Sequence, residues 1–197
     1  MEKHVLGLEM ASDPRWVNIA EKNIREILVD HAYCEQKAAS CCISLITLYP
    51  EKEKLVDVLT LLVAEEWSHF GLVLEKLKKR GWTMGHQRKD EYVERISSLV
   101  RKGGNRDHQL VEKLLLNALI EARSCERFRL LWKEIQDVDL SEFYHELMVS
   151  EAGHYRSFLS LAKEYMRSDL VENRWREILA GEAVIMKQLA VRADRLH

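Results

Sequence analysis

Six residues with metal-binding side chains fall on otherwise apolar helical stripes: Glu35, Glu66, His69, Glu121, Glu151 and His154. A carboxylate on a core face is costly to bury alone, so a cluster of them calls for a compensating cation or proton. Glu66 with His69, and Glu151 with His154, stand in Glu-x-x-His spacing, which sets both side chains on one face of a helix. Two such pairs plus a lone Glu from each of two further helices form the donor set of a di-iron or di-manganese carboxylate centre.

A third Glu-x-x-His, Glu142 with His145, is sorted by phase. Glu142 precedes Glu151 by nine residues, about 900° of helix, or half a turn out of step. With Glu151 and His154 on the core side, Glu142 and His145 face solvent beside Glu146 and Lys163. Axial height ties the other six together. Glu35 stands 15 residues before Pro50 and Glu66 stands 16 after it. In an antiparallel hairpin turning at Pro50, both sit about 22–24 Å from the turn. Glu121 and Glu151 stand 15 residues to either side of Gln136, where a second turn runs to Asp139. One pattern therefore occurs twice: a Glu, about 30 residues, then Glu-x-x-His.

The elements that must carry these groups are helices. Ser12-Asp13-Pro14 reads as a start signal, a capping side chain followed by proline in the first turn, and opens a short helix over 14–22. Long helices are expected over 23–49, ending against Pro50, and over 51–80, ending at Gly81. Residues 90–102 read as a short connecting helix closed by Gly103-Gly104. Further helices are expected over 106–135, 140–167 and 169–194. Apolar stripes at helical spacing include Leu28, Ala39 and Cys42, then Leu55, Leu59 and Leu62, then Leu110, Leu114 and Phe128, then Leu140, Tyr144 and Phe158. The expectation is an all-α four-helix bundle with additional short N-terminal, connecting and C-terminal helices, in a single domain over 1–197. The last helix, with Trp175 and Met186, packs either on that bundle or on another subunit.

Composition agrees. Of 197 residues, 47% are hydrophobic and 31% charged, and only 8 Gly and 2 Pro are present for the many turns of a β fold. Cys34, Cys41, Cys42 and Cys125 show no CxxC spacing, so they read as small core hydrophobes in a reduced, cytoplasmic protein. No stretch approaches the ~18 apolar residues of a membrane span. Small residues, among them Ala38, Ala39, Ser68, Gly71, Ala152 and Gly153, flank the six donors. A mid-helix glycine costs about 1 kcal/mol relative to alanine, so Gly153 calls for close backbone packing or for substrate room. His31 and Asn117 each stand one turn before a lone Glu. They serve either to orient a ligand or as satisfied core polar groups.

The segments LVDHAYCEQKAAS (28–40), LLVAEEWSHFGLVLEKLKKRGW (61–82), LIEARSCERFRLL (119–131) and SEAGHYRSFLSLAKEY (150–165) resemble the tRNA hydroxylase family named MiaE, over about residues 13–195. The resemblance implies a ferritin-like fold and a di-iron monooxygenase. Its substrate would be the isopentenyl group of 2-methylthio-N(6)-isopentenyladenosine, the hypermodified purine beside the anticodon. One oxygen of O₂ would enter an allylic C–H and the other would leave as water. Carried over, the family's iron ligands fall on Glu35, Glu66, His69, Glu121, Glu151 and His154. Two irons and O₂ are the implied cofactor and co-substrate. Electrons would come from a separate ferredoxin or reductase, since no flavin or nicotinamide motif is present. Phe70, Phe128 and Phe158 either wall a prenyl-sized cavity or are plain core.

The implied tRNA partner sits awkwardly with a formal charge of −2, but the charge is uneven. Residues 75–106 carry ten Lys/Arg against four acids, +6 locally, leaving −8 elsewhere. Lys78, Lys79, Arg80, Arg88, Lys89, Arg101 and Lys102 are candidate phosphate contacts, with Trp82, His86 and Tyr92 as stacking groups for an unpaired base. A solvated charged loop is the plainer account of the same residues. Arg123 either lines a metal entrance or pairs with a surface acid. Two other functions compete with the hydroxylase. An iron-handling or peroxide-reducing ferritin-like protein would need no RNA, and a helical interaction module would bind no metal.

Overall fold

Side chains cap three of the helix starts. Asp90, Asn105 and Asp137 accept hydrogen bonds from the N–H groups of Val93, His108 and Leu140 at 3.1, 2.9 and 3.1 Å, satisfying donors that a helix start leaves open. In the computed structural model, which describes residues 5–189 and 196, the helices are α1 Arg15–Glu21, α2 Ile24–Leu48, α3 Glu53–Lys79, α4 Glu91–Ser97, α5 Arg106–Glu134, α6 Val138–Tyr165 and α7 Ser168–Gln188, after a 3-10 turn at Val5–Gly7. No strand occurs among the described residues. α3 ends as Gly81 predicts. At φ +71° it places its N–H on the Lys78 carbonyl (2.9 Å) and that of Trp82 on the Leu77 carbonyl (3.0 Å), the paired closure that a left-handed glycine permits.

The chain divides into two compact units. One holds residues 19–89 with Leu196 and is built on the α2–α3 hairpin turning at Pro50. Leu28, Ala39, Cys42 and Leu45 of α2 are buried, as are Leu55, Leu59, Leu62, Val73 and Leu77 of α3. Each such leucine contributes roughly 1.5–3 kcal/mol by leaving water. The segment after α3 is tied back to α2. The Tyr33 hydroxyl donates to the Gly85 carbonyl at 2.8 Å, and the Arg88 guanidinium pairs with Glu26 at 2.6 Å. The Leu196 N–H donates to the buried Asp30 carboxylate at 2.9 Å.

The other unit holds residues 5–18 and 90–189, built on α5 and α6 with α4 and α7 beside them. α7 packs on its own chain: Trp175 meets Tyr155 with ring centroids 5.9 Å apart. A Cβ added at Gly181 would come within 2.7 Å of Leu99 Cδ2, so a side chain there would require Leu99 to shift. The connecting helix is shorter than the 90–102 span expected and ends at Ser97. Arg174 draws the Leu99 carbonyl outward at 2.6 Å, and the Arg101 N–H donates to Glu112 at 2.8 Å; these long-range bonds replace further helical ones. α7 ends at Gln188, and residues 190–194 of the helix expected over 169–194 lie outside the described residues. Among the described residues no helix is long and apolar enough to cross a membrane.

Candidate metal centre

Each unit carries one triad of donors. In the α2–α3 unit, Glu35 comes from α2 and Glu66 and His69 from α3, with one donor atom of each within 4.8 Å of the others. His69 Nδ1 lies 3.6 Å from Glu35 and 3.9 Å from Glu66. In the other unit, Glu121 comes from α5 and Glu151 and His154 from α6, again with donor atoms within 4.8 Å. His154 Nδ1 lies 4.0 Å from Glu151. All six side chains are buried. The equal heights read from the turns therefore bring Glu35 to the Glu66 pair and Glu121 to the Glu151 pair. Glu142 and His145 are exposed, as are Glu146 and Lys163, as their phase requires, and His145 lies against the Trp132 ring at 4.3 Å.

The surroundings of the two lone glutamates differ. His31 is fully buried, and its Nε2–H donates to Glu35 Oε1 at 2.6 Å. Burial pushes the Glu35 carboxyl up, but the hydrogen bond from His31 and the nearby His69 imidazole outweigh it and hold the group well below the usual carboxylate range. Glu121 is 5% exposed and has no hydrogen-bond or ion-pair partner among the described residues. Asn117, one turn before it, sends its amide to the Lys113 carbonyl at 2.8 Å. Ser150 Oγ lies 3.4 Å from His154 Nε2. A buried carboxylate without a partner is costly unless a cation compensates it. Carboxylate oxygens with imidazole nitrogens are a donor set that suits iron or manganese, so the residues present fit such ions.

Arg123 fills neither role expected of it. It is fully buried on α5, and its five N–H donors go to Glu182, Glu126, Ser12 and the Met10 carbonyl. Ser12, which the sequence suggested as a helix cap, instead donates its hydroxyl to Glu126. Tyr92 is not a surface stacking group: it is 2% exposed, and its hydroxyl donates to Glu182 at 3.2 Å. The Arg127 guanidinium lies over the Trp16 ring at 4.3 Å. Sequence reading missed this network, although Glu182 on the apolar stripe Ile178, Leu179, Ala183 signalled a buried acid in need of a partner.

Other candidate residues are placed as follows. Of the basic set, Lys78, Lys79, Lys89, Arg101 and Lys102 are exposed, while Arg80 and Arg88 are half-buried. Arg101 pairs with Glu177 at 2.6 Å, so its charge and that of Arg88 are partly neutralised within the chain. Trp82 is half-buried and His86 exposed. Phe128 packs on Tyr144 with centroids 5.3 Å apart, and half-buried Phe70 packs on Trp67 at 4.9 Å. Burial pushes the Cys125 thiol up to about 11, and its Sγ–H donates to the Met148 carbonyl at 3.4 Å. Cys34 and Cys41 are half-buried rather than core. Ser68 is exposed, off the ligand face. A Cβ at Gly153 would meet no atom within 4 Å among the described residues, so close backbone packing is not its reason.

Comparison with known proteins gives the family and the fold. The family model tRNA-(MS[2]IO[6]A)-hydroxylase (MiaE) matches residues 2–197. A tRNA 2-(methylsulfanyl)-N(6)-isopentenyladenosine(37) hydroxylase of Pseudomonas putida is 39% identical over 150 residues, covering 76% of this chain and 72% of that protein. The Salmonella typhimurium protein of the same name is 38% identical over 127 residues, covering 61% of this chain and 44% of its own length. Among solved structures, a Synechococcus protein with aldehyde deformylating oxygenase activity superposes with a TM-score of 0.90 at 30% identity, over 96% of this chain and 94% of that one. The all-α, ferritin-like fold expected from the sequence is thereby borne out. The chain belongs to the MiaE family of tRNA hydroxylases.

Proposed function

We propose that this chain hydroxylates the isopentenyl group of 2-methylthio-N(6)-isopentenyladenosine in tRNA, with two irons held by its two triads. The observation that carries the reading is the pair of buried Glu/Glu/His triads, one per hairpin, in a chain of this family. A di-iron tRNA hydroxylase is what the family and the oxygenase-like fold support. The iron ligands would be Glu35, Glu66 and His69, with Glu121, Glu151 and His154. Bound there, reduced iron supplies the activation of O₂ that C–H hydroxylation requires.

The chain's own residues do the rest. The imidazoles of His69 and His154 would each contribute one nitrogen, and the carboxylates would balance the charge of the ions. Burial of all six excludes water from the reacting volume. The room beside Gly153 would admit the prenyl chain. The tRNA contacts would be Lys78, Lys79, Arg80, Arg88, Lys89, Arg101 and Lys102, with the exposed lysines carrying most of the phosphate attraction. Electrons would arrive from a separate ferredoxin-type donor, and the reaction would take place in the cytoplasm, where its tRNA substrate resides.

Nucleoside mass spectrometry tests this reading. Iron-loaded protein is incubated with prenylated tRNA, reductant and O₂. One added oxygen on the prenyladenosine, lost in Glu66→Ala or His154→Ala, is the expected result. No added oxygen from a sample holding two irons per chain would overturn the tRNA assignment.

A further inference from the structure

His31 is a buried histidine that the ligand set does not use. It is fully buried on α2, one turn before Glu35, and its Nε2–H donates to Glu35 Oε1 at 2.6 Å. That bond occupies one carboxylate oxygen and leaves Oε2 directed toward His69, 3.6 Å from its Nδ1. Among the described residues the other unit has no counterpart. Glu121 has no hydrogen-bond partner among the described residues, and the amide of Asn117 goes to its own helix.

We propose that His31 is a positioning residue that makes Glu35 a one-oxygen ligand through Oε2 and thereby makes the two metal positions inequivalent. The inference rests on the di-iron reading above. A carboxylate held at one oxygen loses little further freedom when a metal binds the other. A carboxylate without such a partner must be ordered by the metal itself, at a cost in side-chain entropy. The position served by Glu35 is therefore the tighter, and Glu121 keeps both oxygens for its metal.

Cobalt(II), whose visible absorption reports coordination, is titrated into the metal-free full chain and its His31→Ala, His31→Gln and Asn117→Ala variants. Wild type is expected to bind two ions in two distinguishable steps. In His31→Ala the tighter step weakens by about 10–100-fold and its absorption shifts. His31→Gln, which keeps an N–H donor near the place of Nε2, restores both, and Asn117→Ala leaves both steps unchanged. If His31→Ala fails to fold, His31→Leu, apolar and of similar bulk, replaces it. Wild-type titration and spectrum in a folded variant lacking the donor would overturn the role of His31 while leaving the two-metal reading intact. Equal loss in Asn117→Ala would overturn the asymmetry. Failure of wild type to bind any metal would overturn the di-iron reading, and the inference with it.

Discussion

The two triads share one donor set and differ in what holds it. In the α2–α3 hairpin the support is direct, because His31 reaches the lone glutamate itself. On α5 it reaches the helix instead. Two to six residues beyond Glu121, Arg123, Glu126 and Arg127 face away into a network with Ser12, Tyr92, Glu182 and Trp16, which anchors the backbone that carries Glu121. A ligand can thus be placed by a hydrogen bond to its own carboxylate, or by rigid attachment of its helix with the carboxylate left free. The first constrains the donor atom, and the second constrains only its height and face.

The largest effects come from breaking either triad. Glu66→Ala and Glu151→Ala are each expected to remove bound iron and detectable hydroxylation, measured by metal analysis and nucleoside mass spectrometry. Product surviving in one of them would show that the two halves are not both required. Next in size is the anchor. Arg123→Ala strands Glu126 and Glu182 and is expected to cost about 3–5 kcal/mol in urea unfolding. Arg88→Ala, which removes a partly exposed pair to Glu26 in the other unit, should stay within about 1 kcal/mol. Equal costs would contradict the contrast between a helix-anchored half and a directly braced one.

Acid sensitivity gives a smaller signal, read in the anchored unit at Glu112. Burial pushes the Glu112 carboxyl up, but Arg174 and the Arg101 N–H outweigh it and hold it below its ordinary value of 4.5. The folded chain therefore binds this proton less readily than the unfolded chain does. The resulting stability is complete above the unfolded value and is lost as pH falls through the lower folded one. The stability gap between wild type and Glu112→Gln should hold steady from about pH 7 to 5 and close below about pH 4. A gap that widens in acid would show the sign to be wrong. The smallest effect is expected at Gly153. With open space at its Cβ, Gly153→Ala should raise stability by about 0.5–1 kcal/mol. If the space serves substrate, hydroxylation falls at the same time, and unchanged turnover would remove that role.

Helix periodicity and turn position were enough to find Glu35, Glu66, His69, Glu121, Glu151 and His154, and to set Glu142 and His145 aside. These relations are local or cross one short turn, so 1.5 Å of rise per residue carries them faithfully. The same arithmetic could not find the company of Arg123. Its Ser12 and Glu182 partners lie 111 and 59 residues away, and no spacing rule spans such distances. Tyr92 was misread for the same reason: in sequence it sits in a charged connection, and only its bond to Glu182 reveals a core residue.

The sequence by itself determined the helices, the faces that the four long bundle helices bury and the two three-donor patterns, because backbone hydrogen bonding and side-chain periodicity act over a few residues. Tertiary structure alone decided that α4 stops at Ser97, that Arg123 and Tyr92 belong to a buried network, and that one lone glutamate is braced at a single oxygen while the other stands free. Those outcomes depend on which atoms arrive within 3 Å of one another, and chain folding, not local propensity, sets that distance.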